Sequence, residues 1–184
     1  CIVVNCSYLV VDPETESYCT LYLYKNVQNS NAIRKKLING ELSCAVIKAM
    51  VIVDPLQVLV AANKAAINAK HNRLTTKSIY TELLFCLSTS KNISRSLEEF
   101  GITDNEKNIL VVLIHKENMQ IPLTKVLDDN IKGEKVPLSK LSEFTDFTLI
   151  KKIYKIENDE LNVSSYVDSI VSRISFVNEE KKNL

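Results

Sequence analysis

The segment 51–70, VIVDPLQVLVAANKAAINAK, contains the clearest helix start in the sequence. Asp54 can accept hydrogen bonds from the free amides of a first helical turn, and Pro55 has a helical φ and no amide to satisfy. We therefore predict a helix that begins at Asp54-Pro55 and runs to about residue 70. Small side chains on this helix leave a narrow side that another element can approach closely: Ala61, Ala62, Ala65, Ala66 and Ala69.

Further elements are predicted on both sides of this helix. The run 19–24 (CTLYLY) is rich in β-formers, and the run 108–114 (NILVVLI) is almost wholly apolar, so both are predicted as strands. The helix predicted at 92–100 ends at Gly101, which we expect to be left-handed, with Ile102 folding back onto the helix. Other helices are predicted at 29–37, 78–87, 121–130 and 160–176, whereas the pattern does not decide the type of the short elements at 138–141 and 149–156.

The irregular alternation of helices and strands predicts an α/β (mixed α+β) fold. We expect a single domain over residues 1–184, with a small mixed sheet flanked by helices. Residues 1–6 are predicted to form an atypical N-terminal extension, and residues 179–184 a polar tail. Hydrophobic residues make up 46% of the chain, which is enough to build a core without metals or disulfides.

The charge is small overall but uneven along the chain. The net charge is +1, which excludes a generally basic nucleic-acid-binding protein. Between residues 55 and 95, however, six basic residues accompany a single acidic one, Glu82. A chance surplus on a solvated face explains this pattern as well as a patch for an anionic partner such as RNA does. The six basic residues are Lys64, Lys70, Arg73, Lys77, Lys91 and Arg95.

Motifs that carry enzymatic chemistry are absent from the sequence. It has no GxGxxG, Walker lysine loop, HExxH or GxSxG, and only three glycines to build a phosphate loop. We therefore expect no enzyme, no cofactor, no metal and no small-molecule substrate. The cysteines form no CxxC pair, and no apolar run reaches the length of a membrane span, which predicts reduced thiols in a cytoplasmic and nuclear protein without a membrane partner: Cys1, Cys6, Cys19, Cys44 and Cys86.

The helix predicted at 160–176 carries an apolar stripe along one face. The stripe consists of Leu161, Val167, Ile170, Val171 and Ile174. Core packing explains most of such a stripe, yet an amphipathic helix near a chain end can also offer part of it to a partner's groove. The two interpretations are compatible, and the sequence leaves both open.

Several runs resemble the TPRKB family of KEOPS (EKC) complex subunits. The signature stretch is 51–66, followed by 81–88 (TELLFCLS) and 92–102 (NISRSLEEFGI). A strand like 109–114 comes next in that family, and the run 151–156 (KKIYKI) matches as well. The resemblance extends over residues 7–176, whereas the first six residues do not match the start of the family.

This resemblance implies a non-catalytic adaptor that binds the atypical kinase PRPK. Through the kinase it would reach the other KEOPS subunits and support the threonylcarbamoyladenosine modification of tRNA, with a further role in holding the tRNA 3′ end. The terminal amphipathic stripe and the family's use of this end make Ile170, Arg173 and Ile174 the predicted kinase contacts. The alternative is a stand-alone RNA-binding or protein-interaction module outside KEOPS.

The resemblance also implies residues that would face tRNA. Lys91, Asn92 and Ile93, with Arg95, correspond to a motif in which archaeal relatives tend to have Arg-Gln-Ile. The lysine keeps the positive charge but loses the bidentate guanidinium. If the two neighbouring helices pack side by side, Lys64 and Arg73 would join the same cationic surface. Helix capping is favoured over base reading for Asn92, while Ile93 could stack under a base or belong to the core.

Overall fold

The computed structural model describes residues 6–12, 17–116 and 120–181, with side chains for 17–116 and 124–176. Five strands and seven α-helices lie in these ranges. The strands are β1 (Cys6–Asp12), β2 (Ser17–Lys25), β3 (Ala45–Lys48), β4 (Ile109–His115) and β5 (Glu134–Val136). The helices are α1 (Ser30–Ile38), α2 (Pro55–Lys70), α3 (Ile79–Leu87), α4 (Ile93–Phe100), α5 (Gln120–Asn130), α6 (Phe147–Tyr154) and α7 (Tyr166–Lys181). Short 3₁₀ segments lie at Ala49–Val51, Leu138–Glu143 and Glu160–Asn162.

One sheet forms the centre of the molecule. Its strand order is β1-β2-β4-β3, and β5 pairs with the end of β2 beyond β1. Every strand pairing in the described part of the chain is antiparallel, so the predicted mixture of strand directions is wrong. The predicted α/β class, with helices flanking a small sheet, is confirmed.

Two hydrophobic cores lie on opposite faces of this sheet. The larger core joins alternate residues of β2 and β4, such as Leu21 and Val112, to α2, α3, α6 and α7. The smaller core joins the other alternate residues, such as Tyr22 and Val111, to α1 and α5. Both central strands are therefore buried on both faces, which explains their nearly continuous apolar sequences.

Helix α2 has the bounds that its sequence predicts. The Asp54 carboxylate accepts a hydrogen bond from the Leu56 amide at 2.8 Å, and Pro55 occupies the first turn. The alanine side of the helix is buried, and α3 and α7 pack against the helix. The N-cap and the small side chains thus place α2 in the middle of the larger core.

The last helix differs from its prediction at both ends. It begins at Tyr166 rather than near residue 160, because the Ser165 hydroxyl accepts a hydrogen bond from the Asp168 amide and starts a new helix there. Leu161 lies in the separate 3₁₀ segment before it. The helix continues to Lys181, so its backbone includes the first residues of the predicted polar tail, whose side chains lie outside the described set.

Gly101 does not adopt the left-handed conformation predicted for it. Its φ is −68° and its ψ 154°, so the chain leaves α4 in an extended conformation. This backbone forms a bridge to Ile47 on the edge of the sheet. Ile102 consequently joins the smaller core instead of folding back onto α4. The two untyped segments prove to be the 3₁₀ segment Leu138–Glu143 and helix α6.

None of the helices in the described ranges combines the length and the apolarity that crossing a membrane requires.

Candidate interaction surfaces

Two of the three predicted kinase contacts are core residues. Ile170 and Ile174 are 0% and 1% exposed, and both belong to the larger core. Lys64 on α2 reinforces this packing, because its ammonium group donates to the carbonyl oxygens of Ile174 and Ser175 at 2.8 and 2.7 Å. The side chains of Ile170 and Ile174 therefore face the protein's own interior, and a substitution such as Ile174→Arg would bury a charge there and disrupt the fold.

Arg173, the third predicted contact, links α7 by hydrogen bonds to the segments that precede it in the chain. Its guanidinium group donates to both carboxylate oxygens of Glu160, at 2.6 and 2.7 Å, and to the Lys155 carbonyl oxygen at 3.2 Å. Hydrogen bonding from Arg173, followed by that from Ser169, lowers the pKa of Glu160 from 4.5 to about 2, and the bonds to Glu160 raise the pKa of Arg173. Arg173 thus holds the 3₁₀ segment Glu160–Asn162 and the end of α6 against α7.

Exposed apolar side chains lie on α6, on α7 and on the segment before α7. Val163 is 89% exposed, Phe176 69% and Phe147 41%. The Phe147 ring contacts the half-buried ring of Tyr166 with 4.8 Å between centroids. We refer to Phe147, Val163, Tyr166 and Phe176 together as the C-terminal apolar surface; Phe176 lies ten helical steps, about 15 Å, from Tyr166 along α7. The sequence pattern did not predict this surface, because Phe147 and Val163 lie at element boundaries, where helical periodicity does not predict which side chains are exposed.

The predicted tRNA-facing motif lies at the start of α4. Asn92 is the N-cap, since its side-chain oxygen accepts a hydrogen bond from the Arg95 amide at 3.1 Å, as predicted. Lys91 is exposed and Ile93 half-buried. The Arg95 guanidinium group donates to Glu99 at 2.8 Å while the side chain stays 66% exposed. Lys91 and Arg95 therefore present positive charge at this end of α4, and the ion pair with Glu99 orients the Arg95 side chain.

The structure separates Lys91 from Arg73 instead of placing them on one surface. At one end of the α2–α3 pair, the Tyr154 hydroxyl accepts from Gln57 at 2.9 Å and donates to the Leu87 carbonyl oxygen at 2.8 Å. At the other end, the side-chain amide of α2 residue Asn68 donates to Glu82 on α3 at 3.0 Å. The two helices are therefore antiparallel.

Lys91 follows the end of α3 and lies near the start of α2, whereas Arg73 follows the end of α2. The eleven helical steps from Gln57 to Asn68 span about 16 Å. Lys64 lies between these two ends and donates to the α7 backbone. The structure therefore separates Lys64 and Arg73 from Lys91 along the helix pair, and a tRNA contact by Lys64 or Arg73 stays a prediction.

Another element supplies cations beside Lys91. The Thr89 hydroxyl donates to the Ile153 carbonyl oxygen at 3.4 Å, which brings the end of α6 to the loop before α4. Lys152 and Lys155, on either side of Ile153 and Tyr154, are exposed. We call Lys91, Arg95, Lys152 and Lys155 the Lys91 cation group. The basic run 151–155 was visible in the sequence, but nothing local connected it to Lys91.

The described residues offer little for bond-making chemistry. Cys19, Cys44 and Cys86 are buried free thiols, and burial raises the pKa of Cys19 and of Cys44 to about 12. At neutral pH these two thiols are protonated and poor nucleophiles. Within the part of the chain that the structure describes, no three His, Cys, Asp or Glu residues meet in a way that could hold a metal ion.

Comparison with known proteins places the chain in a family. The family model described as kinase binding protein CGI-121 matches residues 24–178. The chain belongs to the CGI-121 family. A CGI-121 relative from Danio rerio, named EKC/KEOPS complex subunit TPRKB, is 35% identical over 170 residues, which cover 91% of this chain and 97% of the relative.

Fungal CGI-121 relatives are similar at slightly lower identity and over slightly smaller shares of both chains. The EKC/KEOPS complex subunit cgi121 of Schizosaccharomyces pombe is 31% identical over 88% of this chain and 95% of its own length. The Candida glabrata subunit CGI121 is 29% identical over 82% of this chain and 85% of its own. The resemblance stated from the sequence runs is thereby confirmed.

Proposed function

We propose that this CGI-121 chain is a non-catalytic adaptor of the EKC/KEOPS complex that docks a PRPK-type kinase through its C-terminal apolar surface. Its place in a family of kinase-binding proteins supports the partner class. The observation that carries the site is the exposure of Val163 and Phe176 beside helices whose inward residues are fully buried. The chain would reach the other subunits through the kinase, in the cytoplasm and nucleus, and so support tRNA threonylcarbamoyladenosine modification.

The chemistry of this surface suits a stable protein interface. Aromatic side chains contribute much contact area for few rotatable bonds and are enriched where interfaces hold most of their binding energy. Phe147 and Tyr166 already contact each other, so little conformational freedom remains to be lost on binding. Arg173 acts as a positioning residue, because its hydrogen bonds to Glu160 hold the segment that carries Val163.

Phe176→Asp and Val163→Asp test the docking surface. Each change puts a charge into a desolvated interface, and a cost of about 2 kcal/mol at a central position weakens binding by about thirtyfold. Binding to a purified PRPK-type kinase would be measured by calorimetry, with circular dichroism as the check on folding. Ile38→Asp is the matched control, because Ile38 is 71% exposed but lies on α1 across the sheet. Unchanged kinase affinity in both folded variants would refute this docking site.

We propose in addition that the Lys91 cation group contacts tRNA phosphates. The hydrogen bond that brings Thr89 to Ile153 supports this second function, because it adds Lys152 and Lys155 to the predicted Lys91 and Arg95. In this proposal the four cations raise the positive potential where the loop before α4 meets the end of α6. Without a bidentate base-reading arginine at position 91, this interaction would be sequence-independent.

The double variant Lys91→Ala plus Arg95→Ala tests the RNA interaction. Removing one cation from a phosphate lowers the slope of log affinity against log salt by about 0.7 to 0.9, so the slope should fall by about 1.4 to 1.8. Filter binding of a tRNA transcript at several salt concentrations measures this slope. The control is Arg73→Ala plus Lys77→Ala, since both residues are exposed at the far end of α2. Equal slopes for wild type and the Lys91 variant would refute the proposal.

A further inference from the structure

Helix α6 ends at a lysine with a left-handed backbone. Lys155, which follows Tyr154, has a φ of 52° and a ψ of 49°. The other non-glycine residues with positive φ in the described ranges are Asn26 and Asn72. Asparagine tolerates this conformation, whereas in most other residues the Cβ atom crowds the following carbonyl oxygen. Helices that end in this way usually have glycine at that position, so the lysine is unusual.

The surrounding contacts hold Lys155 in this conformation. Its two chain neighbours, Tyr154 and Ile156, belong to the larger core and are 1% and 5% exposed. The amides of Lys155 and Ile156 both donate to the Lys151 carbonyl oxygen. The Lys155 carbonyl oxygen accepts a hydrogen bond from Arg173 at 3.2 Å. Contacts on both sides thus fix an unfavourable backbone at one residue, and such strain is found preferentially at functional positions.

The Lys155 side chain is available to a partner. It is exposed, although both of its neighbours are buried. Among the described residues, its ammonium group has no hydrogen-bond or ion-pair partner. The hydrogen bond between Thr89 and Ile153 brings this end of α6 to the loop that carries Lys91. An unpaired ammonium group beside a second exposed cation favours an anionic partner.

We propose that Lys155 binds a backbone phosphate of tRNA and that a lysine is kept at the left-handed end of α6 for this contact, at a cost in stability. The proposal rests on the RNA interaction of the Lys91 cation group proposed above. Glycine would relieve the backbone but would remove the ammonium group. Stability and RNA binding therefore make opposite demands on residue 155, which would not be so for a residue that served only to end the helix.

Three variants of the full chain separate the charge of Lys155 from its backbone. Lys155→Gly should raise the melting temperature by about 2 to 4 °C and lower the slope of log affinity against log salt by about 0.7 to 0.9. Lys155→Gln should lower the slope equally without raising the melting temperature, because it removes only the charge. Lys155→Arg should preserve the wild-type slope. Circular dichroism follows thermal unfolding, and filter binding of the tRNA transcript gives the slope.

Asn72→Gly is the matched control. Asn72 also has a positive φ, of 55°, but it lies just beyond the end of α2, at the other end of the α2–α3 pair from Lys91. Its replacement relieves the same kind of backbone without removing a charge. The salt slope of this variant should therefore equal that of the wild type.

The outcomes distinguish this proposal from the RNA interaction on which it rests. A wild-type slope in Lys155→Gly, with a lowered slope in Lys91→Ala plus Arg95→Ala, would overturn the role of Lys155 alone. Wild-type slopes in both variants would overturn the RNA interaction as well. A lower melting temperature in Lys155→Gly would remove the argument from strain. Weaker kinase binding by Lys155→Gly at an unchanged slope would assign the lysine to the kinase interface instead.

Discussion

Gly101 shows how one residue sets the route of the chain between two layers. A Cβ atom built on Gly101 would lie 2.5 Å from the Leu97 carbonyl oxygen, the same atom that accepts the Gly101 amide hydrogen at 2.9 Å. Glycine is required here by close approach rather than by a left-handed backbone. Gly40 is the opposite case, because its φ is +74° and nothing lies within 4 Å of its absent Cβ.

These two glycines should respond differently to asparagine. Asparagine tolerates a left-handed conformation, so Gly40→Asn should change the free energy of unfolding by less than about 0.5 kcal/mol. Gly101→Asn should cost about 1 to 3 kcal/mol, because its Cβ meets a backbone oxygen that cannot move freely. Urea denaturation of both variants measures the difference. A neutral Gly101→Asn would favour a left-handed residue 101 after all.

At the scale of elements, short polar networks hold segments that have few apolar contacts. Buried Glu82 on α3 accepts hydrogen bonds from the amides of Thr75 and Thr76, at 3.0 and 2.9 Å, and from the Asn68 side chain. It therefore shapes the loop between α2 and α3. The Arg173–Glu160 ion pair likewise holds the 3₁₀ segment before α7 in place.

Removal of the Glu82 carboxylate should loosen the loop between α2 and α3. Glu82→Ala leaves two backbone amides and the Asn68 side chain without their acceptor, which costs on the order of 3 kcal/mol of unfolding free energy. Hydrogen exchange should accelerate at Thr75 and Thr76. Glu98→Ala serves as the control because Glu98 is exposed on α4. Unchanged exchange at both amides would contradict the assigned role.

The Arg173–Glu160 pair should make stability depend on pH in the acid range. The pKa of Glu160 falls from 4.5 to about 2 on folding, so the carboxylate form is favoured in the folded state. Its contribution is fully present above pH 4.5 and is lost as the pH falls towards 2. The difference in unfolding free energy between wild type and Arg173→Gln should therefore shrink over this window, as denaturation at about pH 6 and about pH 3 would show.

An NMR titration of the Glu160 side-chain carboxyl group provides the independent check. In Arg173→Gln the pKa of Glu160 should rise towards its ordinary value of 4.5, since the largest cause of its depression is the hydrogen bonding to Arg173. A pKa already at that ordinary value in the wild-type protein would contradict the ion pair.

At the scale of the whole molecule, the sheet and the two cores on its faces carry the interaction surfaces. The C-terminal apolar surface belongs to α6, α7 and the segment before α7. The Lys91 cation group extends from the start of α4 to the end of α6. Both central strands and the alanine side of α2 are buried, so the parts that join these surfaces are closely packed.

The variants of the kinase-docking and RNA-binding surfaces should act independently, because Phe176 lies on α7 whereas Lys91 and Arg95 lie at the start of α4. Phe176→Asp should leave the salt slope of tRNA binding unchanged, and Lys91→Ala plus Arg95→Ala should leave kinase affinity unchanged. In the combined variant the changes in binding free energy should add to within about 0.5 kcal/mol. Calorimetry and filter binding on the same four proteins test this. A larger deviation from additivity would show that the surfaces are energetically coupled.

Local sequence signals were enough to predict the main elements and the family. Asp54-Pro55 started α2, Asn92 capped α4, and two apolar runs marked β2 and β4, because caps, fixed backbone angles and periodicity act within a few residues. The runs that resembled the TPRKB family led to the family that the full comparison shows.

Which residues are available to partners depends, by contrast, on tertiary packing. The apolar stripe on α7 would have the same sequence whether it packed into the core or bound a kinase. Packing against α2 is what buries Ile170 and Ile174. Lys91 and Arg73 belong to the same basic stretch of the sequence, residues 55–95. The antiparallel packing of α2 and α3 nevertheless places them at opposite ends of this helix pair. Burial and proximity depend on contacts between segments distant in the chain, and no local pattern specifies those contacts.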